Sequence, residues 1–255
     1  MKPLNEYINK GFFNNTGSGI NAAIGQWMKD NADYDNYTIN NDGTIDVDGN
    51  IEITNKNIIE FPDYIRFKRV DGYFSCSSCI SLRSLEGVPK EVGRDFYCIN
   101  CKSLTSLEGC SEEVGGDFWC SSCSSLKSFE GAPKEVGGNF FCNNCKSLTS
   151  LNKAPKAVGR SFGCSDCKSL ITLEGCPKEV EGDFYCNNCK SLTSLKGSPE
   201  KIGKDFFCSA CTSLTSLEGA PKEVGGSFVC SFCKKQFTEE DIKKVSKVKK
   251  RIILR

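Results

Sequence analysis

Asp95-Phe96-Tyr97-Cys98-Ile99-Asn100-Cys101-Lys102-Ser103-Leu104-Thr105-Ser106-Leu107-Glu108-Gly109 decides the fold, because its pattern returns every 22 residues. Phe74, Phe96, Phe118, Phe140, Phe162, Phe184, Phe206 and Phe228 keep that spacing, and a Cys-x-x-Cys pair begins two residues after each. A fixed period in this range marks a solenoid, in which each coil buries its apolar face only by stacking on its neighbours. Phe96 and Cys98 alternate like the inward residues of a short strand. Leu104 and Leu107 follow at fixed steps, and Val114 closes the coil before Asp117-Phe118. Equivalent leucines from Leu82 to Leu214, and valines from Val92 to Val224 with Ile202 among them, stack as the core ladders.

Glycines at 87, 109, 131, 175, 197 and 219 mark a corner needing positive φ or close backbone approach. In most coils a proline follows two residues later, fixing φ and ending any strand. Lys153 replaces the corner glycine, Ser111 the proline and Glu181 the first glycine of a Gly-Gly pair, each predicting a relaxed turn.

The stretch resembles a leucine-rich repeat, whose pattern is L-x-x-L-x-L-x-x-N/C-x-L. Phe96, Cys98, Cys101 and Leu104 match its second and third apolar positions, its Asn/Cys position and the leucine after it. Val92 lies one residue from the place of the first leucine, and Cys101-Lys102-Ser103-Leu104 is one residue longer than N-x-L. The resemblance implies one strand and a return segment per coil. The expected fold is therefore a leucine-rich-repeat-like solenoid with a short parallel sheet on one face and mostly irregular returns. The unit and its leader MKPLNEYI are also similar to uncharacterised repeat proteins of bacteriophages and gut bacteria.

The solenoid occupies residues 74–233, as seven full repeats and a partial eighth, with a cap at each end. Residues 1–36 form a leader and helical segment: Leu4, Tyr7 and Ile8 share one face, and Ile20, Ala23, Ile24, Trp27 and Met28 share another, with Ser18 as N-cap. Residues 37–73 read as a β-hairpin cap and a degenerate first coil. Asp42-Gly43 and Asp48-Gly49 sit where hairpin turns need positive φ. Residues 234–255 read as a C-terminal helical cap, with Thr238 capping an acidic first turn and Lys247, Lys249, Lys250 and Arg251 in later turns. Ile252 and Ile253 are expected on the last coil.

Thirty-three basic and 32 acidic side chains leave no global field to recruit nucleic acid or an anionic membrane. No run of 18 apolar residues exists to span a bilayer. The opening MKPLNEYINKGFF lacks the apolar stretch of a secretory signal, so the expected compartment is the cytosol, or the host cytoplasm of a phage. Histidine is absent, which removes the commonest general base and every mixed Cys/His zinc site. Seven equal serines, Ser81 to Ser213, form a structural column, since a catalytic serine would be singular. The expectation is no enzyme, no catalytic residue and no cofactor.

Eighteen cysteines admit two readings. Eighteen residues separate Cys79 from Cys98, which suits a four-cysteine zinc site. Metal sharing between coils would impose a 44-residue super-period distinguishing odd from even repeats, and none is read. Structural ladders of reduced thiols are the expectation, and a metal-loaded array is the alternative.

Function is carried by the variable positions. Tyr97, Trp119, Phe141, Tyr185 and Phe207 fall between inward residues and so face outward, edged by Asp95, Asp117, Asp183 and Asp205. With strands ~4.8 Å apart they make a stripe roughly 30 to 40 Å long. Exposed aromatic stripes mark binding surfaces, and Tyr97, Trp119 and Phe141 are the expected anchor. The carboxylates favour a basic protein partner over nucleic acid. The chain is thus read as a monomeric protein-binding module. Carbohydrate binding, to which rings beside Asp and Asn are also suited, and a virion structural part are the alternatives.

Overall fold

The computed structural model describes residues 17–254. The pattern around Leu4, Tyr7 and Ile8 lies outside the described residues. The rest forms a parallel β-solenoid of about ten rungs, with small helical elements toward both ends.

Each Phe begins a two-residue strand, from Phe74–Ser75 to Phe228–Val229, and each pairs in parallel register with its equivalent 22 residues away. The rings stack inside the coil, with centroids 5.0 Å apart between Phe96 and Phe118 and 5.4 Å between Phe162 and Phe184. All eight of these rings are fully buried. Burying one such ring and fitting it against two neighbours contributes on the order of 3 kcal/mol.

A second ladder accompanies the first. Glu91–Val92, Glu113–Val114, Glu135–Val136 and their equivalents also pair in parallel, with valine inward and glutamate outward. The coil therefore has two short strands where one strand and an irregular return were expected. The two residues after each valine or isoleucine, Gly-Gly at 115–116, 137–138 and 225–226, turn the chain from one ladder to the other.

At the N-terminal end α1 (Gly17–Asn31) leads into a hairpin of β1 (Ala32–Ile39) and β2 (Ile45–Ile53). Ser18 lies within α1 and not before it. Ile24, Trp27 and Met28 of α1 are buried, and Trp27 meets the Phe61 ring at 5.8 Å, closing the core. Asp42-Gly43 makes the hairpin turn, with Gly43 at φ +74°. Asp48-Gly49 makes none, because β2 runs through it. Asp35 accepts the Asn50 N–H at 2.6 Å, and the register slips between Tyr34 and Asn36, so a bulge takes the place of a turn. β2 pairs with β3 (Phe67–Val70) along its first half and with Phe74–Ser75 along its second. One continuous strand thus founds both ladders.

At the other end α2 (Glu239–Val245) starts with a reciprocal cap: Thr238 Oγ1 accepts the Asp241 N–H, and Asp241 accepts the Thr238 N–H. The helix is shorter than the charge pattern predicts. Lys247–Val248 and Ile252–Ile253 are strands that pair with Glu223–Val224 and Phe228–Val229, so the basic run forms a final rung. Among the described residues no helix is long and apolar enough to cross a membrane.

The valine-side ladder breaks once, between Ala157–Val158 and Glu179–Val180. A Cβ on Gly137, Gly159, Gly203 or Gly225 would lie far inside van der Waals contact with the carbonyl oxygen one rung back. Glu181 occupies this column and carries a Cβ, and the pairing is lost there, while Gly182 beside it still donates to Arg160 at 2.9 Å. The ladder resumes at Glu179–Val180 with Lys201–Ile202.

Candidate binding face

The residues between the inward Phe and Cys stand on the outer side of the first ladder, the aromatic ones half-buried. Trp119 and Phe141 are 4.6 Å apart, and Tyr185 and Phe207 stack at 4.9 Å, 4° from parallel. Gly163 sits between these pairs. A Cβ there would strike the Phe141 ring, so the absence of a side chain lets Phe141 lean across and meet Tyr185 at 6.4 Å. The run Trp119, Phe141, Tyr185, Phe207 is therefore continuous. Tyr97 instead contacts Tyr73, one rung toward the N-terminus, at 6.1 Å. The trio Tyr97, Trp119 and Phe141 is not the tightest cluster.

The aspartates beside the rings are held by the chain. Asp95 accepts the Asp117 N–H at 2.7 Å, Asp117 that of Asn139 at 2.7 Å, Asp183 that of Asp205 at 2.9 Å, and Asp205 that of Ser227 at 2.6 Å. Each carboxylate thus caps a backbone donor of the next rung, a role invisible to spacing alone. The second oxygen of Asp95 accepts the Tyr97 hydroxyl at 2.9 Å, and that of Asp117 lies 3.4 Å from the Trp119 indole nitrogen. Burial, then the Asp95 bond, pushes the Tyr97 phenol up to about 12. Burial and the Asp183 charge raise Tyr185 likewise.

The Cys-x-x-Cys pairs are turns, and the residue before the second cysteine is left-handed in each: Asn100, Asn144, Asp166 and Asn188, and also Ser78, Ser122, Ala210 and Phe232, have φ near +60°. Asn and Asp tolerate that region better than most residues. The second thiol reaches back to the carbonyl of the first cysteine one rung earlier: Cys101 to Cys76 at 3.2 Å, Cys123 to Cys98 at 3.1 Å, Cys145 to Cys120 at 3.2 Å. That carbonyl lies where the strand ladder ends, and the thiol supplies its donor. All 18 cysteines are free. Burial holds thiols such as Cys120 far above the usual range. Among the described residues no three His, Cys, Asp or Glu side chains converge to hold a metal ion.

A 44-residue super-period does exist, in the residues around these thiols. Asn100 donates to Ser78, Asn144 to Ser122 and Asn188 to Asp166, joining coils in pairs. Ser103, Ser147 and Ser191 likewise reach carbonyls of Ile80, Ser124 and Lys168, again in every second coil. The alternation runs through hydroxyl and amide bonds, while the thiol contacts repeat at every rung.

A second concave feature escaped the reading of spacings. A groove of about 1290 Å³ follows the valine-side ladder and ends where Glu181 breaks it. Glu91, Glu113 and Glu135 stand side by side along it, in register on adjacent strands. Farther along, Glu179, Lys201, Glu223 and Lys247 alternate in sign instead. The signal was present in the Glu-Val column, but it needed that column to be a strand.

Comparison of the chain with family models, with curated proteins and with solved structures found no match.

Proposed function

We propose that this solenoid is a non-enzymatic interaction module that holds a protein partner on its ring face, in a compartment that keeps thiols reduced. The observation that carries this reading is the continuous run Trp119, Phe141, Tyr185, Phe207, bordered by carboxylates anchored to the backbone. Rings already packed against one another lose little freedom when a partner covers them, and aromatic anchors dominate interface energetics. The bordering charge prefers a partner segment rich in Lys or Arg. A non-catalytic role is supported by the sequence, where histidine is missing and the paired cysteines and the serines from Ser81 to Ser213 are copies of repeated columns.

A photo-crosslinking residue at Phe207, with a control at the exposed return-side Ile171, tests this. The partner should be captured from position 207 and not from 171. In the Trp119→Ala/Tyr185→Ala protein its affinity should fall about 30-fold or more, with the fold retained by circular dichroism. Equal capture from both positions, or affinity unmoved by the double substitution, rules out the ring face. Oligosaccharide that quenches Trp119 while no protein is captured would replace the protein partner with a sugar.

A further inference from the structure

The near-zero total charge conceals opposite ends. Residues 17–53 carry seven carboxylates (Asp30, Asp33, Asp35, Asp42, Asp46, Asp48 and Glu52) against the single Lys29. Residues 234–254 carry eight basic side chains against Glu239, Glu240 and Asp241. Both ends also finish in strand edges that pair with nothing among the described residues. β1 bonds only to β2, and Lys247–Val248 and Ile252–Ile253 bond only to the rung before them.

The last rung is open in a second sense. Val248, Ile252 and Leu254 continue the columns of Val224, Phe228 and Cys230, which are buried, yet are themselves only half-covered. In inner rungs the amides equivalent to Ile252 and Leu254 donate to the next coil, as Phe228 does to Arg251 and Cys230 to Ile253. The outer rim here is basic: Lys247, Lys250 and Arg251 are exposed. At the opposite end β1 presents half-buried Tyr34, Tyr37 and Ile39 among exposed Asp33 and Asp35.

We infer that the C-terminal rung of one copy docks on the β1 edge of another, head to tail. Like ends repel, so an isologous dimer is disfavoured, whereas unlike ends attract and offer each other an unpaired strand edge. Such a heterologous contact does not close on itself and continues the solenoid from copy to copy. This sets aside the expectation of a monomer and is independent of the ring face, which runs along the side.

Sedimentation velocity of the full chain tests the inference through two charge-reversed variants, Asp30→Lys/Asp33→Lys at one end and Lys250→Glu/Arg251→Glu at the other. Unmodified protein should form multiples of 28.0 kDa that grow with concentration at about 0.05 M salt and shrink at about 0.5 M. Each variant alone should stay monomeric. Mixed, each contributes its one intact end, so they should at least form a dimer. Circular dichroism and melting of each variant establish that it folds. Monomer throughout for the unmodified protein at low salt would overturn the inference. So would assembly that persists in either folded variant, or a mixture that gives no dimer.

Discussion

Replacing Cys145 by alanine removes the thiol that reaches the Cys120 carbonyl at 3.2 Å and leaves that buried acceptor with nothing to bond. The expected cost is about 1 to 3 kcal/mol in chemical denaturation, and Cys145→Ser, which keeps a donor, should lose clearly less. Equal losses would mean that the column is there for volume alone. The same residue shows what spacing reveals and what it hides. The period places Cys145 inward and makes it one of a set, which was enough to read a ladder. Its partner 25 positions back could not be read, because the carbonyl becomes available only where a two-residue strand stops. Asp117 is similar: its outward column was legible, but its bond to the Asn139 amide depends on how the next coil stacks.

At the scale of the elements, one side chain divides a ladder. Glu181 stands where other coils have glycine, and the strands on either side, Ala157–Val158 and Glu179–Val180, do not pair. Glu181→Gly should let the missing pairing form. The residue-181 amide should then exchange slowly, as its counterparts Gly137 and Gly159 should, since these donate to Val114 and Val136 at 3.0 and 2.9 Å. Hydrogen exchange followed by mass spectrometry reads this directly, and unchanged protection across 178–184 would acquit the side chain. From sequence Glu181 was a departure of unknown weight, because its effect depends on a carbonyl contact between coils. The Phe strand was legible from alternation, whereas the Glu-Val strand, with one inward residue, has no alternation to show. Asp48-Gly49 misled for the opposite reason: a turn signal was absorbed as a bulge once β2 had partners on both sides.

At the scale of the whole molecule, so many buried thiols set an alkaline limit. Burial pushes Cys79 and Cys208 up to about 12, while an unfolded thiol ionises near 8.5. With the folded value raised, the stabilisation is complete below about pH 8.5 and is lost as pH climbs toward 12, at about 1.4 kcal/mol per pH unit for each such thiol. In the presence of reductant, melting temperature should be level from about pH 6 to 8 and fall steeply above about pH 9. A melting temperature at about pH 10.5 equal to that at neutrality would show that the thiols ionise freely in the fold. The rungs have a mechanical consequence as well. Their hydrogen bonds point along the long axis of the coil, so tension applied between the termini loads one rung at a time, through a handful of bonds. Each rung that lets go frees 22 residues and about 70 Å of slack while surrendering only ~4.8 Å of folded length. Stretched, the molecule would pay out like line from a reel, in even steps and at low force, giving way first at the seam beside Glu181.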